Sequence, residues 1–241
     1  MGTLILVEAR KAADTRGALV LLAVVVLLGA AAVVLVEATD PTLTGYVSAP
    51  GIPLAALLPV WSVLAVSGDR IHRTHLVGYA VEPRRLRVVV ARTIAVVVGA
   101  VLVASVSCAL AAGLFVVLHG GGAVTTEAGA ALRAAASVVA IGLNGALTGV
   151  AAASVVRSVP LAIVLVVLGP VTIDVVAALL VPTVAPWISV LVLTSWTSAP
   201  STSWGPVGDA PGVGQALASL GLWVVLPLVV GTVRHLREDL A

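Results

Sequence analysis

The stretch that decides the fold is "SGDRIHRTHLVGYAVEPRRLRVVVARTIA", residues 67–95. It carries six of the thirteen basic residues and two of the four histidines in the chain of 241 residues, and an apolar run lies on each side of it. The whole chain is 60% hydrophobic and 10% charged, with a mean hydropathy of +1.19. Because soluble domains carry about 25% charged residues, we infer that most of this chain is dissolved in lipid.

Six apolar runs are long enough to cross a bilayer, which takes about 20 helical residues. Their approximate bounds are 18–36, 51–68, 93–118, 130–156, 160–181 and 215–233. The sequence therefore predicts an all-α integral membrane protein with one domain, residues 1–241. The first run follows basic residues, as in a signal peptide, but it is longer than a signal-peptide core of about 7–15 residues. Cleavage after Ala38 is the less favoured alternative.

The basic residues sort to one side of a six-span arrangement. Twelve of the thirteen fall in the N-terminal segment, the basic segment, the loop at Arg157 or the C-terminal tail, and only Arg133 falls on the other side. The positive-inside rule then predicts that both termini are cytoplasmic. Arginine outnumbers lysine twelve to one, and Ala, Val and Gly are abundant. This usage indicates GC-rich coding, so we expect a multi-pass protein of a bacterial inner (plasma) membrane.

The connection between spans five and six, residues 182–214, contains Pro and Gly throughout and cannot form one helix. It also holds the apolar stretch WISVLVL and tryptophans of the kind found at membrane interfaces. These are Trp187, Trp196 and Trp204. We predict one or two short re-entrant or interfacial helices here, the alternative being an ordinary outer loop.

The N-terminal segment, residues 1–17, contains both apolar and charged residues. Leu4, Ile5 and Val7 stand against charged residues that include Glu8, Lys11 and Arg16. The pattern predicts an amphipathic helix lying on the cytoplasmic face of the membrane. The alternative is a cytosolic stub whose charges only set the topology.

One ionisable residue lies well inside a predicted span. Asp174 is fourteen residues past the start of span five, or about 21 Å along a helix, which places it in the outer half of the bilayer. Such a carboxylate is a candidate proton, cation or substrate site. The interpretation we favour is structural, with the carboxylate accepting hydrogen bonds from backbone of the outer segment.

Asn144 and Thr148 are four residues apart and share one face of span four. Small residues lie beside them at Gly142, Gly145 and Gly149. Small and hydroxyl- or amide-bearing residues of this kind usually form helix–helix contacts in membranes. We favour packing over a role in a translocation path, which stays open as the alternative.

Motifs for bond chemistry are missing. The sequence lacks G-x-x-x-x-G-K-[ST], the loop that cradles nucleotide phosphates, and it has neither H-E-x-x-H nor a Cys/His cluster for a metal. His72 and His75 have no third ligand nearby other than Asp69 and are more typical of polar residues at an interface. Cys108, the only cysteine, lies in an apolar run and is predicted to pack there. We therefore expect no enzyme activity, cofactor or metal in this chain.

The basic segment has an internal order that topology alone does not require. Asp69 can cap a short helix over residues 69–81. One face of that helix would be apolar, with Leu76 and Tyr79, and the other basic, with Arg70 and Arg73. The sequence Glu82-Pro83 is typical of a helix start. The second helix would carry Arg84 and Arg85 into span three. Such a loop suits a lever on spans two and three, and the alternative is that its charges only set the topology and bind anionic lipid.

The basic segment resembles the cytoplasmic loop of type-2 ABC transporter permeases. The pattern of that family is an acidic residue, a basic or Gly-Thr step, a Pro-Arg element and a basic residue entering the third span. The matching positions are Asp69, Thr74, Pro83, Arg85 and Arg92. The N-terminal "EARKAADTR", residues 8–16, is similar to the Glu-x-x-Lys start of the family. Two positions differ, because many relatives have Gly at position 73 and Lys at position 92.

The resemblance implies the membrane subunit of an ATP-driven exporter. A second permease copy, identical or related, would complete the translocation path, and a cytosolic dimer of P-loop ATPase subunits would bind ATP and Mg. Residues 69–92 would form the coupling loop on that ATPase, residues 1–17 the connecting helix, and residues 182–214 the closing outer segment. The alternatives are a stand-alone secondary transporter or channel using Asp174, and a membrane scaffold without transport. Nucleic acid is not an expected partner.

Overall fold

The structure, a computed structural model, describes residues 16–39, 41–71, 85–122, 124–197 and 211–237, with four positions before residue 16. These ranges are helical and contain no β-strand. Six helices in them are long and apolar enough to cross a membrane, so the prediction of an all-α chain with six helices able to span a bilayer is confirmed for the described residues. Most of the N-terminal segment, the stretch 72–84 and Trp204 lie outside the described residues.

The helices are numbered here in chain order. They are α1 Arg16–Thr39, α2 Leu43–Ser48, α3 Gly51–Ile71, α4 Arg85–His119, α5 Val124–Val155, α6 Val159–Leu180, α7 Ala185–Ile188, α8 Leu191–Thr197, α9 Val213–Leu220 and α10 Leu226–Arg237. One π-helical turn, Gly221–Val225, joins α9 to α10. In a hydrocarbon solvent the backbone must satisfy its own hydrogen bonds, and an apolar run of this length does so as a helix.

The helix ends follow local chemistry. Gly120 ends α4 in a left-handed conformation with φ of +78°, which favours glycine. Pro160 lies in the first turn of α6, where its missing N–H costs nothing. Pro50 has no N–H to donate to the Tyr46 carbonyl, so the helix is interrupted between α2 and α3. The second candidate span therefore begins at Leu43, ahead of its predicted start near residue 51.

Polar side chains tie α1, α2, α4 and α5 together at one end of the bundle, which we call the glutamate end. The Tyr46 hydroxyl donates a hydrogen bond to the Glu37 carboxylate, and His119 Nε2 lies 3.5 Å from the same carboxylate. The backbone N–H of Thr44 donates to Glu127 at 3.3 Å. The α1–α2 connection and the α4–α5 connection are thereby held at one level.

The opposite end, the arginine end, carries Arg87, Arg157 and Arg234. Here the Arg92 guanidinium of α4 donates to the Val66 carbonyl of α3 at 3.1 Å. Helix α3 continues through Asp69 to Ile71, so the prediction that a separate helix starts at Asp69 is wrong. After Pro59 the sequence has no further proline before Pro83, and adding a residue to a formed helix costs little.

Helix α5 packs most extensively on α3, and two glycines of α5 allow the approach. A Cβ atom added at Gly149 would overlap the Pro59 carbonyl and would lie 2.7 Å from Ser62 Cβ. A Cβ atom at Gly145 would lie 3.1 Å from Pro59 Cδ. Because the obstacle at Gly149 is backbone, it cannot turn aside as a flexible side chain would.

Gly149→Ala is expected to lower the thermal stability of the protein in detergent, because the new methyl group must displace the α3 backbone, and overpacking typically costs about 1–3 kcal/mol. Gly113→Ala is the matched control, since a Cβ atom there meets open space and alanine favours a helix by about 1 kcal/mol. The measurement is the midpoint of heat-induced loss of monodisperse protein on size exclusion. Equal midpoints for the two variants would contradict this account of the α3–α5 contact.

Candidate functional site

Asp174 is buried in α6, with only 4% of its surface exposed, and its carboxylate accepts three hydrogen bonds. Ser189 Oγ donates to Oδ2 at 2.6 Å, the Val190 N–H donates to Oδ1 at 2.8 Å, and the Leu191 N–H donates to Oδ2 at 3.1 Å. The two N–H groups belong to the start of α8, where helical partners are lacking. The carboxylate therefore caps a helix in another part of the chain.

Two further spans hold the same part of the chain, residues 185–197, which we call the pinned segment. Asn144 Nδ2 of α5 donates to Thr194 Oγ1 in α8 at 3.0 Å. Trp223 Nε1, in the π-helical turn, donates to the Ile188 carbonyl at the end of α7 at 2.8 Å. Together with Asp174, three spans fix the segment through three separate side chains.

The pinned segment lies beside the helices and not above their ends. Asn144 is eleven residues from the end of α5 at Val155, which corresponds to about 16 Å from the arginine end. Asp174 is six residues before the end of α6 at Leu180, or about 9 Å inside it. The chain therefore turns back after α6 and runs alongside α5, with Val192 fully buried.

An apolar groove of about 210 Å³ lies next to the pinned segment, between α5, α6 and the last span. Thr148, Ala152 and Val155 of α5 form one wall at helical spacing. The other walls share an apolar character and consist of Val156, Leu165, Val166, Gly169, Pro170, Ile173, Val190, Trp223, Leu226, Pro227 and Val230. The Thr148 hydroxyl donates to the carbonyls of its own helix, so the groove surface offers almost no free polar group.

The residues singled out from the sequence are distributed between this site and parts that the structure leaves undescribed. Asp174 and Asn144 meet the pinned segment, Thr148 lines the groove, and Trp187 lies half exposed in α7. Position 196 lies in α8. The positions of the coupling loop from residue 72 to residue 84 lie outside the described residues.

Trp223 is the residue of this candidate site that sequence reasoning missed. It lies in an apolar run, where a tryptophan has no pattern to set it apart from a lipid-facing one. The only local signal is Pro227 four residues later, which removes the helical donor to the Trp223 carbonyl and accompanies the π-helical turn.

The described residues contain no group of three or more His, Cys, Asp or Glu side chains placed to hold a metal ion. Comparison of the chain with protein-family models, with curated proteins and with solved structures finds no match. The site consists of hydrogen bonds from three spans to residues 185–197, beside an apolar groove.

Asp174→Ala is expected to speed hydrogen exchange of the Val190 and Leu191 amides and to lower the thermal stability in detergent. The substitution leaves one hydroxyl and two N–H groups without an acceptor, and each unsatisfied buried donor costs about 1–3 kcal/mol. The readout is hydrogen–deuterium exchange of peptides that cover residues 185–197. Thr172→Val, at an exposed position of the same helix, is the control and should leave those peptides unchanged. Unaltered exchange in the Asp174 variant would refute the capping role.

Proposed function

We propose that this chain is the membrane subunit of an ATP-driven exporter of the type-2 ABC class, paired with a second permease and coupled to a separate cytosolic ATPase. The observation that carries the proposal is the order of residues in the basic segment. An acidic residue, a short amphipathic stretch, Pro83-Arg84-Arg85 and Arg92 follow one another between the second and third spans.

The position of the basic segment supports a role in coupling. It connects α3 to α4, and the two helices are bonded to each other just inside the segment by Arg92 and the Val66 carbonyl. A force applied to residues 72–84 would therefore reach both helices at once. Under this proposal the arginine end is cytoplasmic, as the positive-inside rule predicts.

The surfaces of the outlying helices are compatible with a second permease. In the most apolar 18 residues of α6, only 11% are buried within the protein. The corresponding share is 17% for α1 and 61% for the second span. These faces would meet lipid or the partner permease. Their apolar surface is suited to both, so it supports pairing without identifying the contact.

The pinned segment would form the outer closure of the translocation path. Its short helices α7 and α8 pass alongside α5 at bilayer depth, and irregular backbone at that depth is tolerated where protein covers it. Here α5, α6 and the last span lie against the segment, and Asp174, Asn144 and Trp223 form hydrogen bonds with it.

A transporter that uses Asp174 as its proton or ion site has less support. Both carboxylate oxygens are occupied by donors from residues 189–191, and a coupling ion would have to displace them. We therefore do not adopt that alternative. A scaffold without transport would be recognised by failure to associate with any ATPase.

Leu76→Glu combined with Tyr79→Glu is expected to abolish co-purification with the proposed partner ATPase, because the substitutions place charge on the predicted docking face. The measurement is the ratio of ATPase to permease after affinity purification from membranes. Val117→Glu with Leu118→Glu is the matched control, since these exposed residues lie at the other end of α4.

The control pair should retain the ATPase in full. Thermal stability of each permease variant by itself separates loss of docking from loss of folding. If the ATPase stays bound to a folded Leu76/Tyr79 variant, the basic segment between α3 and α4 does not dock the ATPase through these residues.

A further inference from the structure

The groove beside the pinned segment has an apolar lining of the kind that a hydrocarbon chain contacts. Its walls come from α5, α6 and α10, its volume is about 210 Å³, and the residues that line it are almost all apolar. Gly169 and Pro170 leave the α6 wall without a long side chain at its middle. The groove therefore offers an apolar surface within the span of the helices, where lipid tails lie.

Two arginines lie one and four residues beyond lining residues of the groove, toward the arginine end. Helices α5 and α10 touch at Ser154 and Gly231, where an added Cβ atom would lie 2.8 Å from the Ser154 carbonyl carbon, and Ser154 Oγ donates to the Pro227 carbonyl at 3.1 Å. Both chains run toward the arginine end from that contact. Three residues further on, each carries an exposed arginine, Arg157 and Arg234.

The arginines are also linked to the groove by sequence. Val156, which precedes Arg157, lines the groove, and Val230, four residues before Arg234, lines it as well. Residues four apart lie on one face of a helix. An arginine has five N–H donors, so each guanidinium can bind a phosphate oxygen in addition to its contacts within the protein.

We propose that the groove binds one acyl chain of an anionic phospholipid and that Arg157 and Arg234 bind the phosphate headgroup of the same molecule. The apolar walls take the chain, and the paired positive charge at the end of the groove selects the anionic headgroup. Basic pockets between membrane helices at one leaflet bind anionic headgroups in this way. The inference does not depend on the proposed exporter function.

The test uses the full chain reconstituted in vesicles of equimolar phosphatidylglycerol and phosphatidylcholine and then extracted into mild detergent. Native mass spectrometry counts the lipids that stay bound. The unaltered chain is expected to retain phosphatidylglycerol several-fold over phosphatidylcholine. Arg157→Gln with Arg234→Gln is expected to abolish that preference, whereas Arg87→Gln, at the same end of the bundle, should keep it.

Gly169→Phe fills the groove and is expected to reduce bound lipid of both kinds several-fold. A Cβ atom at Gly169 meets only Leu165 of its own helix, at 3.5 Å, so the fold should tolerate the ring. Gly113→Phe, on the open face of α4, is the control and should retain the lipid.

If Gly169→Phe lowers the yield of folded protein, the arginine pair still decides the outcome. Equal retention of the two lipids by the unaltered chain would overturn the proposal. So would an unchanged preference in the double arginine variant, or full lipid retention by a folded Gly169→Phe variant.

Discussion

The close contact of α5 with α3 is the constraint on which the rest of the structure depends. Gly149 and Gly145 bring the α5 backbone against Pro59, and this contact fixes the C-terminal half of α5. Other faces of that half hold Thr194 through Asn144 and the last span through Ser154. In lipid, helices gain little from burying apolar side chains, so packing of small residues and hydrogen bonds determines the arrangement.

Much of the fold was predictable because the bilayer imposes a simple rule on length and hydropathy. The six apolar runs correspond to six helices, and only their ends moved. The second span gained α2 because Pro50 interrupts the helix without ending the span, and α3 continues past Asp69 because no proline ends it there. Boundaries of this kind depend on single residues. Whether such a residue ends a helix depends on the helical turns that precede it.

The candidate site was predictable only in part. Asp174 and Asn144 attract notice because polar groups are costly in lipid, and each must find a partner. Which partner they find depends on the turn after Leu180, which brings residues 189–191 back to the level of Asp174. No periodicity encodes that return. Trp223 gave no such signal, since its apolar ring suits lipid. Its single N–H has a role only because the folded chain places the Ile188 carbonyl beside it.

The hydrogen bonds that hold the pinned segment and the lining of the groove share residues, so their free energies are coupled. Val190 lines the groove and donates to Asp174, while Trp223 lines it and donates to the Ile188 carbonyl. A molecule in the groove therefore contacts residues whose positions fix the pinned segment. If this molecule binds more tightly when residues 185–197 are held in place than when they are displaced, it must stabilise their hydrogen bonds to the spans. Those hydrogen bonds must then raise the affinity for the molecule by the same factor. An occupant of the groove would thus hold the segment closed against the helices, and release of the segment would weaken its hold on the occupant.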